Sequence, residues 1–134
     1  MKDEALDAWS RARKSLMAAE KDLEIDPDST ASRAYYAAFH AVTALFALQD
    51  QSFSKHAGVL AAVHRDLVHT GRWSEELGAA YSWLMKLRAA GDYGGMREHV
   101  SDSDAEKAIE AARRILQAVH QAQPELFPWT SEKP

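Results

Sequence analysis

Two arginines of this chain are predicted to point toward the interior of a helical fold. Arg33 belongs to a helix that is otherwise apolar, and Arg88 lies four residues after Leu84 and seven after Tyr81, on the apolar stripe of a later helix. An inward guanidinium needs an anion or a carboxylate, because burying an unpaired charge is costly. One solution is an internal ion pair, for instance of Arg88 with Asp92 or of Arg33 with a glutamate of another helix. The other is a cleft that binds phosphate.

Polar side chains form a single predicted stripe on the helix of Arg33. They recur at spacings of three and four, which places them on one helical face: Arg33, Tyr36 or Ala37, His40 and Thr43. His40 is the best candidate for proton transfer, because imidazole titrates near neutral pH, although a hydrogen-bonded core histidine is the alternative. Tyr35 and Tyr36 face different sides, so one is predicted in the core while the other offers its hydroxyl to a cleft or interface.

Other common site signatures are missing from the sequence. With no Cys, the chain has neither thiolate nucleophiles nor a cysteine zinc site. His56, His64 and His69 do not have the i, i+4 spacing of helical metal sites, so no metal and no cofactor is expected. His56 is instead expected to cap or pack the start of its helix. The glycine-rich residues 91–95 lack the Lys-Ser/Thr pair of a phosphate loop and are predicted to end a helix.

Length and composition indicate one globular domain with a short tail. The 134 residues are 46% hydrophobic and 27% charged, with a formal net charge of −4. The acidic balance argues against broad, charge-driven DNA binding. Neither a membrane-spanning run nor a signal-peptide pattern is found, so a cytoplasmic protein is expected. The predicted domain covers residues 1–123, and residues 124–134 form a flexible tail whose Phe127 and Trp129 are candidates for docking on the bundle or a partner.

The predicted fold is all-α. The 25 alanines outnumber the 13 Val, Ile and Thr residues, a bias toward helix. Hydrophobic spacing predicts five helices, at about 3–24, 30–49, 55–69, 75–90 and 104–123. The predicted caps are Ser29 or Thr30 for the second helix, Ser74 for the fourth and Ser103 for the fifth. Short connections favour an up-and-down antiparallel bundle, and the second helix, apolar all round, belongs at its centre.

Four segments resemble a known family. They are SRAYYAAFHA at 32–41, KHAGV at 55–59, the pair HR at 64–65 with TG at 70–71, and LRAAGDY at 87–93. Their types and order resemble HEPN-domain proteins of the UPF0332 type. The resemblance implies a helical bundle that forms a homodimer and works on RNA or beside a nucleotidyltransferase, in prokaryotic toxin–antitoxin or defence systems. No membrane partner is expected, because no apolar run of the sequence is long enough to span a bilayer.

The resemblance also implies what a ribonuclease of this family requires. Active members carry an arginine, four to six further residues and then a histidine. The arginine holds the scissile phosphate and the histidine moves a proton without a metal. Here four residues follow Arg88, and the next is Tyr93, preceded by Asp92. Tyrosine, with a pKa of about 10, is a poor general base at neutral pH. Arg33 and His40 have the required spacing, but they lie on the second helix, whereas active members of the family carry the motif near the end of the penultimate long helix.

Three functions therefore remain open from the sequence. The first is a module that binds RNA, a nucleotide or a nucleotidyltransferase partner through Arg33, Tyr36 and Arg88. The second is a metal-independent endoribonuclease toxin in which Arg88 acts with His40 or with Tyr93 and its neighbour Asp92. The third is a structural dimer in which both arginines only tie the bundle together.

Overall fold

The described residues form a bundle of five α-helices. The computed structural model describes residues 2–93 and 99–129, with the backbone alone at 92 and 93. The helices are α1 (Lys2–Asp22), α2 (Pro27–Ala47), α3 (His56–Ala62), α4 (Glu75–Tyr93) and α5 (Asp102–Ala122). No strand occurs in the described ranges, so the predicted all-α, up-and-down antiparallel bundle is confirmed. None of these helices is long and apolar enough to cross a bilayer.

Helix α2 lies at the centre of the bundle and packs against α1, α3, α4 and α5, as its apolar sequence predicts. Small side chains allow this close approach, because alanines along α2 are fully buried against its neighbours: Ala31, Ala34, Ala37, Ala38, Ala41 and Ala44. Phe46 and Tyr35 supply bulk between them, and both are almost wholly buried. The central position of α2 fixes its polar stripe beside α1 and α4.

The start of α2 differs from the prediction. Asp26, not Ser29 or Thr30, is the N-cap, and its side chain accepts a hydrogen bond from an amide of the first turn at 3.1 Å. Pro27 follows as the first helical residue, where its fixed φ is favourable and its missing N–H costs nothing. Thr30 is instead fully buried, and its Oγ1 donates to the carbonyl of Ala19 at 3.1 Å. This bond ties α2 to α1.

The cap of α5 is also displaced from the predicted one. Ser101 caps the helix and accepts a hydrogen bond from the Asp104 amide at 3.0 Å, so the prediction of Ser103 is wrong by two residues. Both serines are followed by acidic residues, which makes them equivalent by pattern. The predicted cap of α4 is confirmed, since Ser74 Oγ accepts a hydrogen bond from the Leu77 amide at 3.1 Å.

The predicted third helix consists of two parts. After α3 the chain continues as a π-helical segment, Val63–Val68, whose wider turns are rare and often lie near functional sites. His64 Nε2 lies 2.9 Å from Ser82 Oγ on α4. Gly78 of α4 faces the same segment, and a Cβ there would lie 2.5 Å from Val68 Cγ2. Glycine at this position therefore permits the close packing of α4. Gly71, at φ +82°, ends the region as predicted.

The first residues of the tail pack on the bundle. Phe127 is fully buried and its ring centre lies 5.3 Å from that of Trp9. Trp9 Nε1 donates to the carbonyl of Pro128 at 3.0 Å, and His120 Nδ1 donates to the carbonyl of Phe127 at 2.7 Å. Trp129 lies beside His120, at 6.5 Å between ring centres. Phe127 and Trp129 thus dock on α1 and α5, while residues 130–134 lie outside the described ranges.

Candidate functional site

An open cleft of about 650 Å³ lies where α1, the start of α2 and the end of α4 meet. Its described lining is mostly polar: Ser15, Asp26, Asp28, Ser29, Ser32, Arg33, Tyr36, His40 and Gly91. Helix α2 supplies most of these residues because positions three and four apart share one face. The stripe of Arg33, Tyr36 and His40 predicted from spacing therefore lines a single cleft.

Arg33 does not point toward the interior, so that prediction is wrong. Its side chain is 57% exposed, and its Nε lies 3.5 Å from Asp22 Oδ2 of α1. A long arginine side chain on the edge of a stripe reaches solvent even when the stripe faces a neighbouring helix. Exposed ion pairs of this kind contribute about 1 kcal/mol or less. The guanidinium of Arg33 can therefore exchange Asp22 for an anion in the cleft at little cost.

Arg88 does point toward the bundle, as predicted. It is half-buried, and its guanidinium carbon lies 5.4 Å from the ring centre of Tyr35 and 5.3 Å from that of Tyr36. Such cation–π contacts are favourable and hold the planar group over the rings. Among the described residues, Arg88 is not part of the cleft lining. In the described part of the chain, Arg33 lines this cleft and Arg88 does not, but Tyr36 contacts Arg88 and also lines the cleft.

The tyrosine pair divides as predicted. Tyr35 is fully buried, whereas Tyr36 is half-buried and lines the cleft. Their ring centres are 5.2 Å apart at a T-shaped angle of 70°. Part of the Tyr36 side chain is therefore accessible from the cleft.

The surroundings of His40 favour the neutral form of its imidazole. Burial lowers its pKa below the ordinary 6.5, and the positive charge of Arg11 lowers it further, while Asp7 opposes this in part. The ring lies 6.0 Å from that of Tyr36 between centres. At neutral pH His40 therefore has a free lone pair, which a general base needs.

The remaining candidates near the end of α4 are only partly placed. Asp92 and Tyr93 end α4, and their side chains lie outside the described part of the chain. Beyond them, His99 Nδ1 lies 2.8 Å from Asp28 Oδ2, and the Val100 amide donates to Asp28 Oδ1 at 2.7 Å. Burial opposes ionisation of Asp28, but these hydrogen bonds outweigh it and lower its pKa. Asp28 thus fastens the segment after α4 to the rim of the cleft.

His56 is the residue whose surroundings the sequence did not reveal. It begins α3, as predicted for a histidine that packs a helix start, but its Nδ1 also lies 2.7 Å from the Tyr35 hydroxyl. Burial lowers its pKa, and the charge of Arg88 adds to this effect. The string KHAGV was the only sequence signal for this position. Tertiary packing of α3 on α2 brings His56 beside Arg88.

Other charged residues have structural or surface roles. Arg65 pairs with the adjacent Asp66, and Arg113 pairs with Glu20 and Glu110 on the surface of α1 and α5. Arg114 is exposed on α5. Among the side chains that the structure describes, no three His, Cys, Asp or Glu residues converge as a metal ion would need.

Comparison with known proteins gives the family. The model of the HEPN domain matches residues 5–122. A UPF0332 protein of Thermotoga maritima is 36% identical over 129 residues, covering 90% of this chain and 98% of that protein. The UPF0332 protein glr0978 of Gloeobacter violaceus is 32% identical over 120 residues, covering 87% and 94%.

A solved structure shares the fold. The crystal structure of TT1696 from Thermus thermophilus aligns with a TM-score of 0.73 at 25% identity, over 87% of this chain and 96% of that one. The domain match spans most of the chain, and both relatives are matched over nearly their whole length. The chain therefore belongs to the HEPN-domain family and, within it, to the UPF0332 proteins.

Proposed function

We propose that this HEPN-domain protein is a binding module for the phosphate and base of a nucleotide, either free or within single-stranded RNA. The observation that carries the proposal is the joint lining of one open cleft by Arg33, Tyr36 and His40, with Arg88 stacked on the Tyr36 ring. A cation beside an aromatic surface is the combination that nucleotide-binding clefts use.

Each group has a distinct part in this binding. Arg33 leaves its weak pair with Asp22 and holds the phosphate with two parallel hydrogen bonds. Tyr36 stacks on the base, and the hydroxyls of Ser29 and Ser32 supply neutral hydrogen bonds. The carboxylates of Asp26 and Asp28 at the rim disfavour a densely charged backbone, such as that of a duplex. The cleft thus favours one nucleotide unit over a long run of phosphates.

The test is direct binding, with free nucleotide and RNA as separate arms. Fluorescence anisotropy with a labelled RNA decamer and calorimetry with AMP and ATP measure Kd for the whole chain. Arg33→Gln is expected to raise Kd roughly tenfold for the nucleotides and for the RNA, because it removes a charge-assisted hydrogen bond. Arg114→Gln, an exposed arginine of α5 outside the cleft, is the matched control and is expected to leave Kd unchanged. Binding that both variants reduce equally would contradict a site at the cleft.

The second candidate function is metal-independent RNA cleavage, favoured by the neutral state of His40 in the same cleft. A neutral imidazole takes the proton from a 2′-hydroxyl, and the 2′-oxygen attacks the adjacent phosphorus to form a 2′,3′-cyclic phosphate. The P–O5′ bond breaks, the departing 5′-oxygen takes a proton from the imidazolium or from water, and Arg33 or Arg88 offsets the charge on the phosphate. Arg88 with Tyr93 is the alternative pair from the sequence. RNA incubated with the protein and a chelator would be cut by wild type and not by His40→Gln or Arg88→Gln. If wild type binds RNA but does not cut it, cleavage is refuted and the binding function stands.

We also propose the assembly that the family resemblance implies. Two copies form a homodimer, and a nucleotidyltransferase is the partner protein, in a prokaryotic toxin–antitoxin or defence system. Light scattering on the purified chain tests the dimer, and co-expression with a nucleotidyltransferase encoded beside it tests the partner. A stable dimer that binds neither nucleotide, RNA nor such a partner would support the purely structural alternative.

A further inference from the structure

We propose that His56 is a further ligand-binding residue, held by Tyr35 so that its Nε2–H group and the Arg88 guanidinium contact the same nucleotide. The proposal rests on the proposed function of the cleft and extends the site past Tyr36 to a second side. It names a residue that neither the spacing of the α2 stripe nor the cleft lining identifies.

The geometry places His56 and Arg88 on one aromatic support. The guanidinium carbon of Arg88 and the ring centre of His56 both lie near the rings of Tyr35 and Tyr36, at four distances between 5.3 and 5.9 Å. Phe39 packs on His56 at 4.7 Å between ring centres, which fixes the plane of the imidazole. His56 and Arg88 are both half-buried, so part of each side chain reaches solvent.

In the proposed arrangement the Tyr35 hydroxyl donates to Nδ1 of His56, so that the ring hydrogen lies on Nε2. The Tyr35 hydroxyl lies 2.7 Å from Nδ1, and Tyr35 is fully buried. Burial raises the pKa of Tyr35, and burial together with neighbouring Tyr35 raises that of Tyr81 behind it, so both phenols keep their protons. A phenol that donates to Nδ1 of a neutral imidazole leaves the hydrogen on Nε2. His56 therefore presents an N–H donor on its side away from Tyr35.

A neutral donor next to a fixed cation suits an anionic ligand. A second full charge beside Arg88 would be repelled in the free protein, and this repulsion together with burial keeps His56 neutral. The Nε2–H group adds a directed hydrogen bond without that cost. Because Tyr36 contacts this pair and also lines the cleft with Arg33, a nucleotide beside Tyr36 is within reach of both arginines and of His56.

Binding measurements with AMP and the labelled RNA decamer test the role of His56. His56→Phe keeps an aromatic ring but removes the donor, and it is expected to weaken binding roughly tenfold. His56→Gln keeps an N–H donor at about the position of Nε2 and is expected to restore most of the affinity. His69→Phe, an exposed histidine beyond the π-helical segment, is the matched control and is expected to bind as wild type does. Circular dichroism verifies that each variant is folded.

Nuclear magnetic resonance tests the role of Tyr35 independently of any ligand. Long-range ¹H–¹⁵N spectra of the full chain at neutral pH are expected to show His56 as the Nε2–H tautomer. Tyr35→Phe is expected to give a mixture of tautomers and a several-fold weaker affinity for AMP. A His56 that is protonated, or that carries its hydrogen on Nδ1, would overturn the proposal.

The two proposals fail in different ways. If wild type binds AMP or RNA and Arg33→Gln weakens it while His56→Phe does not, the cleft stands and the role of His56 is refuted. If wild type binds neither probe, the function proposed for the cleft is refuted and the ligand contact of His56 with it.

Discussion

The guanidinium carbon of Arg88 lies 5.3 Å from the ring centre of Tyr36, whose exposed part lines the cleft that Arg33 and His40 share. Tyr36 thus contacts Arg88 of α4 and lines the same cleft as Arg33 of α2. A ligand in this cleft would therefore lie near Arg33 and near the side chain that contacts Arg88. The aromatic ring of Tyr36 is the part of the side chain that contacts Arg88.

Removing the Tyr36 ring is therefore expected to be more damaging than removing its hydroxyl. Tyr36→Leu eliminates both the stacking surface and the support of Arg88, and we expect Kd for AMP and RNA to rise roughly tenfold, the loss of one base–aromatic stack. Tyr36→Phe retains the ring and is the matched control, with affinity within a few-fold of wild type. Equal losses in the two variants would mean that the hydroxyl, not the ring, makes the contact.

Stability is expected to fall as pH decreases below 6.5, because of His40 and His56. Their pKa values in the folded chain are lowered from 6.5, so the unfolded chain takes up protons first. The stabilisation from neutral His40 and His56 is complete above pH 6.5 and is lost as pH falls through the folded pKa values. Urea unfolding over the range of about pH 5 to 8 measures this slope.

A substitution of His40 measures how much this histidine contributes to the dependence of the free energy of unfolding on pH. His40→Gln is expected to flatten the decrease in the free energy of unfolding, since a glutamine takes up no proton. His69→Gln, a change at an exposed position, is expected to leave the slope as in wild type. An unchanged slope in His40→Gln would contradict the lowered pKa of His40.

Asp28 is expected to hold the segment that follows α4. Asp28→Ala removes the acceptor of both the Val100 amide and His99, and we expect a loss of about 1–3 kcal/mol in the free energy of unfolding. Faster hydrogen exchange at residues 99–101 is the local measurement. Asp28→Asn keeps one acceptor oxygen, so its free energy of unfolding and its exchange rates are expected to lie between those of Asp28→Ala and wild type. Exchange that is the same in all three would mean that another contact fastens this segment.

The same carboxylate gives a prediction at acid pH. The pKa of Asp28 is lowered from 3.8, so its contribution to stability is present above pH 3.8 and is lost as pH falls through the folded pKa. The difference in stability between wild type and Asp28→Ala is expected to shrink over this range. A difference that persists in strong acid would show that ionisation of Asp28 has no part in it.

Gly78 is expected to be required for the packing of the π-helical segment. In Gly78→Ala the new Cβ would lie 2.5 Å from Val68 Cγ2, so one of the two elements must move. We expect a loss of about 1–3 kcal/mol, typical of an overpacked core, measured by chemical denaturation. Gly58→Ala on α3 is the matched control, because its Cβ would meet Phe53 at an ordinary 3.4 Å and alanine favours helix. An unchanged free energy of unfolding in Gly78→Ala would mean that the π-helical segment shifts to accommodate the new Cβ without loss of stability.

Phe127 is expected to contribute to the stability of the whole bundle. Phe127→Ala leaves a cavity beside Trp9, and we expect a loss of about 3–5 kcal/mol with a change in tryptophan fluorescence. Pro128→Ala preserves the carbonyl that accepts from Trp9 and is the control, with little change expected. A mild effect of Phe127→Ala would indicate that the tail is held mainly by its backbone hydrogen bonds.

Periodicity predicted the elements that depend on burial. The apolar surface all round α2 can be satisfied only at the centre of the bundle, and its polar stripe must share one face whatever the neighbours are. The same reasoning predicted that one of Tyr35 and Tyr36 lies in the core and that the other faces a cleft or interface. Adjacent residues on a helix differ by about 100° in direction, so one of them enters the core.

What the sequence could not predict depends on tertiary contacts or on nearly equivalent local choices. Ser101 and Ser103 are interchangeable by pattern, and only the bundle selects one. The direction of Arg33 depends on the reach of its side chain to Asp22, which spacing does not give. The pairing of His56 with Tyr35 joins residues 21 apart in sequence, and it arises from the way α3 packs on α2.

The burial of Phe127 has a practical consequence for the boundaries of the folding unit. The HEPN-domain match ends at residue 122, yet the ring that covers Trp9 lies five residues later. A chain shortened to the matched length would leave the indole N–H of Trp9 without its carbonyl acceptor and an apolar hollow open to water. Such a fragment is expected to aggregate or to recruit a substitute aromatic side chain, so residues 123–129 should be counted as the last part of the domain and not as a dispensable extension.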